Sequence, residues 1–185
     1  GAIAISRRQT LVQRVNAVES MGNVTCLCFD KTGTLTENKL AVHEALPQNG
    51  TDEAVLKEKL RLMLLNLSAL NRTAAAIAVY AGAEKDAPPA QRKLREVPFN
   101  STRKWSAVIF PGETLIIGAP ERVITASEKQ LSEQANALAE RGYRLIAISR
   151  AEGELADQSL PENRKTMALI VLSDRTRSDM KGTLD

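Results

Sequence analysis

The sequence predicts an α/β chain in which a mixed domain of sheet and helices is inserted after a short strand ending at Asp30. Three observations predict it. The run Val24 to Asp30 is short, apolar and β-favouring, and it breaks off at a charged residue followed by the turn-rich Lys31-Thr32-Gly33-Thr34. Further on, Trp105 to Phe110, Thr114 to Ile117, Arg144 to Ser149 and Met167 to Ser173 are apolar runs bounded by Gly, Pro or polar turns. Between these runs lie stretches whose apolar residues recur at helical spacing.

In chain order, Leu11, Val12, Val15 and Val18 recur at helical spacing and predict an amphipathic helix from Arg7 to Met21, ended near Gly22. The strand to Asp30 reads as buried. A further strand is expected over Thr36 to Ala45, then a loop at Pro47 to Gly50 and a helix capped by Thr51 or Asp52 that runs through Leu67. Ala74 to Ala78 is ordinary helix material, and Pro88 and Pro89 break the chain. The short turn Pro111 to Glu113 predicts an antiparallel hairpin between its flanking strands. A helix is expected from Ser127 to Arg141, with Leu131, Ala135 and Leu138 on one face and Gly142 to end it. The last residues, Ser173 to Asp185, read as a return to the first, incomplete domain.

Composition narrows the function. A chain of 185 residues with 43% hydrophobic content can bury one good core. A net charge of +3, with basic and acidic residues interspersed, gives no field for nucleic acid or lipid headgroups. No apolar run approaches the roughly 20 residues needed to span a bilayer. Cys26 and Cys28 lie two apart in a strand-like run, where both point to one face and a mutual disulfide is disfavoured; their usage fits a reducing cytosol and no metal-ligand spacing.

Covalent phosphoryl transfer to a carboxylate needs a nucleophile fixed at a strand end, donors around the phosphate and a cation beside it. Asp30 to Thr36 supplies these: Gly33 lets backbone amides face phosphate oxygens, Thr32 and Thr34 add hydroxyls, and Lys31 adds charge. Taken alone, an Asp before a glycine turn also describes a simple turn cap. The seven residues Asp30-Lys31-Thr32-Gly33-Thr34-Leu35-Thr36, however, match the phosphorylation signature of the P-type ATPases, a branch of the haloacid dehalogenase superfamily, and the chain resembles that family. The resemblance implies that ATP phosphorylates Asp30, that magnesium is held by Asp30 and the Thr32 carbonyl, and that Arg8 to Gly22 is the stalk helix from a membrane segment. Related phosphatases carry a second Asp where Thr32 stands; a threonine cannot shuttle the proton, which favours a pump with a long-lived aspartyl phosphate.

Other segments carry the resemblance onward. Val97-Pro98-Phe99-Asn100-Ser101-Thr102-Arg103-Lys104 is similar to the segment in which a Phe stacks on adenine and a Lys lines the ATP pocket, which assigns Phe99 and Lys104. Gly118-Ala119-Pro120-Glu121 resembles the family's Lys-Gly-Ala-Pro-Glu turn, with Ile117 where many members have Lys, and the family's glycine lets the backbone approach the nucleotide. Arg141 to Ala147 resembles the stretch whose arginine reaches the phosphates, here Arg144. The acidic residue that relatives place near the adenine amino group is not evident between Asn66 and Ala74. Asp174 and Arg177 match the hinge back to the phosphorylation domain. His43 reads as a solvated strand residue, and Trp105 and Tyr143 as packing.

The resemblance implies a nucleotide-binding domain of antiparallel sheet flanked by helices, residues 39–173, inserted in an incomplete Rossmann-like phosphorylation domain. The flanking parts are a stalk-like helix over 1–22, the first part of the phosphorylation domain over 23–38 and the hinge and return over 174–185. Its implied function is that of an ATP-binding cytoplasmic segment of an ion pump, with ATP and magnesium as cofactors. Its partners are the remaining domains, the membrane helices and a transported cation, calcium or another light one; no nucleic acid is implied. The segment alone is expected to bind ATP weakly, without turnover. A soluble haloacid-dehalogenase-like phosphatase and a non-catalytic nucleotide-sensing module are the alternatives.

Overall fold

Strands that are apolar at consecutive positions, rather than at every second one, have two faces to bury. The computed structural model, which describes residues 22–26, 28, 36–83, 87–155 and 159–176 together with Asn16 and Ser20, buries both. Strands β1 (Thr36–Pro47), β2 (Arg95–Asn100), β3 (Trp105–Phe110), β4 (Glu113–Gly118), β5 (Arg144–Glu152) and β6 (Lys165–Thr176) form one sheet in the order β1-β6-β5-β4-β3-β2. Every neighbouring pair is antiparallel.

Helices α1 (Glu53–Asn66) and α2 (Arg72–Ala81) cover one face. Leu56, Leu60, Met63 and Leu64 of α1 pack with Val108, Phe110, Leu115, Ile148 and Ile170 of the sheet. Their spacing of four, seven and eight residues is that of a single helical stripe. Asp52 caps α1 by accepting from the Val55 N–H at 2.8 Å, and Asn71 caps α2 by accepting from the Ala74 N–H at 2.9 Å. The other face is covered by the single turn α3 (Pro120–Val123) and by α4 (Lys129–Glu140). There Val123, Leu131 and Ala135 meet Trp105, Ala107, Ile109, Ile116 and Leu169. Alternate residues of each central strand thus serve opposite layers.

The structure departs from expectation in three places. Arg95–Asn100 is a strand that the sequence reading left out: it holds Pro98 and one buried residue, Val97, because it is the sheet's edge. Helix α4 begins at Lys129 rather than Ser127, since the Ser127 hydroxyl pairs with that of Thr125 at 2.9 Å instead of capping. His43 is exposed on β1, as expected, and also stacks on Tyr143, ring centroids 5.4 Å apart. The described positions of the run expected as a buried strand, 24–26 and 28, lie in no ladder, and Val24 is 53% exposed; among the described residues no strand pairs with them. The hairpin of β3 and β4, the α1 cap at Asp52 and the left-handed Gly142 after α4 match expectation.

Two contacts fix neighbouring elements to one another. At the end of β4, Gly118 pairs with Trp105, and a Cβ built on it would lie 2.5 Å from the Trp105 Cβ and 2.6 Å from the Lys104 carbonyl oxygen. Only glycine allows that approach. Before α4, the Glu128 carboxylate accepts from the N–H and hydroxyl of both Thr125 and Thr166, and from the Asn49 amide, tying the helix to the start of β6. Partial burial pushes this carboxyl up, but the donors from Thr125 and Thr166 outweigh it and hold it below the ordinary value.

Replacing Gly118 with Ala is expected to destabilise the domain by about 1–3 kcal/mol through overpacking, read as a lowered urea midpoint. Because the folded Glu128 carboxyl sits below its unfolded value, its stabilisation is complete above the unfolded pKa and is lost as pH falls through the folded one. The variant Glu128→Gln should therefore be less stable at pH 7, by about 1 kcal/mol given its partial exposure. Urea midpoints measured down the acid range should converge with those of the wild type.

Candidate functional site

A sheet packed on both faces leaves room for polar groups at its ends. Antiparallel pairing brings the end of β2, the start of β3, the end of β4 and the start of β5 to one such end. There, on the α1–α2 side, lies a cavity of about 810 Å³. Ser106, Ile117 and Ile146 form its floor, and the α1–α2 connection, residues 67–71, forms one wall.

Four of the residues singled out in the sequence, Phe99, Lys104, Gly118 and Arg144, line this cavity. They come from β2, the β2–β3 turn, β4 and β5. Phe99 is 52% exposed, which is costly for an aromatic ring without a partner. Its aim follows from an irregularity in the β2–β3 register between Val97 and Asn100. Val97 packs into the opposite layer, and the irregularity leaves Phe99 lining the same cavity as Glu96.

Lys104 occupies the left-handed region, φ 62°, one of two non-glycine residues to do so among those described. Its N–H donates to the Asn100 carbonyl at 2.7 Å, and its carbonyl accepts from the Ala119 N–H at 2.9 Å, so the strained backbone is fixed on both sides. Its ammonium group pairs with Glu121 at 3.0 Å. The Arg144 guanidinium is exposed at the start of β5 and forms no ion pair among the described residues.

Two lining acids were not assigned from the sequence. Glu121 lies within the Gly-Ala-Pro-Glu motif, so its position carried the signal. Glu96 had none: its side chain, 8% exposed, accepts from the Ser68 N–H and hydroxyl and from Lys93. Burial raises its carboxyl, and the Lys93 and Ser68 donors bring it below the usual range. Lys93 also donates to the Asn66 carbonyl at 2.6 Å, while the Asn66 side chain accepts from the Lys93 N–H. This network pins the wall at 67–71 to the β2 edge.

The remaining assignments lie elsewhere. Asp174 sits on β6 opposite Leu40 and does not line the cavity. Asp30, Lys31, Thr32, Thr34 and Arg177 lie outside the described residues. Among the described residues no three His, Cys, Asp or Glu side chains come together to hold a metal, and no helix is long and apolar enough to cross a membrane. Chemically, the cavity offers an apolar floor, an exposed aromatic face and two cations at its rim, a combination suited to a flat ring bearing an anionic tail.

No family model matches the chain. The calcium-transporting ATPase CtpE of Mycobacterium tuberculosis is 30% identical over 186 residues, covering 100% of the chain and 23% of that protein. The probable cation-transporting ATPase exp7 of Streptococcus pneumoniae is 30% identical over 187 residues, with 99% and 23% covered. Plasma membrane ATPase 2 of Saccharomyces cerevisiae is 31% identical over 173 residues, with 83% and 18% covered. The chain thus spans about a quarter of the curated relatives it first matches. Among solved structures, a zinc-transporting PIB-type ATPase in an E2.Pi state superposes with a TM-score of 0.68 at 25% identity, over 97% of this chain and 26% of that one. The catalytic domain of the CPx-ATPase CopB-B shares the fold, with a TM-score of 0.59 at 12% identity over 99% of this chain and 57% of that one. Similarity along the whole sequence, together with a fold shared with these structures, makes the chain a member of the P-type cation-transporting ATPases.

Proposed function

We propose that the cavity binds ATP, with adenine against Phe99 and the phosphates toward Lys104 and Arg144, and that the pump containing this segment uses ATP to phosphorylate Asp30. The observation that carries this reading is that Phe99, Lys104, Gly118 and Arg144, separated in sequence, line one cavity. An aromatic face takes up a purine ring, and a planar guanidinium pairs with phosphate oxygens. Gly118 contributes by allowing the close strand approach that places Lys104.

In the phosphoryl transfer, an Asp30 carboxylate oxygen bonds to the γ-phosphorus as the bond from that phosphorus to the β–γ bridging oxygen breaks, and ADP leaves with the electron pair. Lys31, Thr32 and Thr34 would donate to the transferred group. Magnesium, held by Asp30 and the Thr32 carbonyl, would offset phosphate charge. The layout supports this reading: Thr36 and Thr176, where the sheet domain is entered and left, pair at the same end of the sheet as the cavity. The proposed nucleotide-binding domain, residues 39–173, lies within that sheet domain, with Asp174 at the end of β6 and Arg177 beyond it as the hinge back to the phosphorylation domain, at the cytoplasmic face of a membrane. Calcium or another light cation is the proposed cargo, supported by similarity along this whole chain to a segment, under a quarter, of calcium-transporting relatives.

Calorimetric titration tests the cavity. Phe99→Ala should weaken ATP binding by about tenfold, the scale of one lost base–aromatic stack. Arg144→Gln should weaken ATP and leave adenosine unchanged; unaltered ATP binding in both variants would overturn the assignment. In the full pump, Asp30→Asn should form no acid-stable phosphoenzyme from radiolabelled ATP, and retained label would refute Asp30 as the acceptor.

A further inference from the structure

The rim of the cavity does not present both of its cations freely. Lys104 and Glu121 lie 3.0 Å apart, with side chains 53% and 58% exposed. Exposed pairs often form by chance between flexible side chains, but here the backbone sets the two residues side by side. Lys104 is held in the left-handed region by Asn100, and the Ala119 N–H that caps its carbonyl belongs to the turn that starts α3, where Glu121 sits in the first turn. One backbone hydrogen bond therefore ties together the two segments that carry the partners. Of the other charged lining residues, Glu96 is engaged by Lys93 and Ser68, and Arg144 has no ion pair among the described residues. Ile117 adds no charge to the floor.

We propose that Glu121 is a specificity-determining residue of the cavity, an internal counter-anion that holds Lys104 until a nucleoside polyphosphate displaces it. This rests on the nucleotide reading above. A ligand gains from Lys104 only by outcompeting a carboxylate already in place, so the negative charge of the tail is tested against Glu121, while the base is held separately at Phe99. A nucleoside without phosphates leaves the pair intact and gains nothing from Lys104.

The test titrates ATP and adenosine into the full chain as wild type, Glu121→Gln, Lys104→Met and the double variant. Glu121→Gln should bind ATP about two- to fivefold more tightly, the range an exposed ion pair supports, with adenosine unchanged. In the Lys104→Met background that gain should shrink or vanish. An equal gain in both backgrounds would overturn the proposal, because Glu121 would then act on the phosphates directly. Unchanged or weaker ATP binding by Glu121→Gln, with the wild type still binding ATP, would overturn it while sparing the nucleotide site. Failure of the wild type to bind ATP would remove both.

Discussion

Burial of both faces of one antiparallel sheet is the constraint on which the rest of the structure depends. A sheet exposed on one side tolerates polar residues at every second position; in this one the polar residues buried on the central strands are few, Ser106, Glu113, Thr114, Ser149 and Thr166. β3 and β4 are buried at each of their residues, and their side chains divide between two cores. The helices are set by the same demand, since α1 with α2 and α4 with α3 each present an apolar stripe of the right length to close one side.

The location of the cavity follows from that demand. Charged and hydrogen-bonding groups excluded from the strand middles collect where strands end, and antiparallel order gathers the ends of four strands at one place. The edge strand adds what a central strand cannot. The irregularity in β2 turns Phe99 away from the layer that takes Val97, and Glu96, through Ser68 and Lys93, fastens the loop opposite. The rigid sheet therefore supplies the floor, while a polar network positions the one wall that is made of loop.

How much could be read from the sequence tracks how local each signal was. The central strands were legible as continuous apolar runs because two-sided burial leaves no polar alternation to confuse them. α1 was legible from its stripe and from Asp52. β2 was not, because an edge strand with Pro98 and one buried residue carries neither run nor alternation. The start of α4 was read two residues early, at Ser127, because only the fold reveals that Thr125 takes the Ser127 hydroxyl and that Glu128 reaches across to Thr166. Of the cavity, Phe99, Lys104, Gly118 and Arg144 were accessible through recognisable local patterns. Glu96 was not, because Ser68, which together with Lys93 fixes its carboxylate, stands 28 residues away on the far side of α2. The reason for Gly118 also emerged only in three dimensions: the crowding it relieves comes from Trp105, thirteen positions earlier in the chain.

The pairing of Thr36 with Thr176 also bears on ancestry. A unit whose outermost strand and last strand lie side by side brings its two junctions within about 5 Å of each other, the ordinary spacing of neighbouring strands. Splicing such a cassette into a surface loop of a host polypeptide barely stretches that loop, so the host loses little closure entropy and keeps its own register. The sheet could therefore be gained, exchanged or enlarged as a single genetic piece without the surrounding protein having to be redesigned.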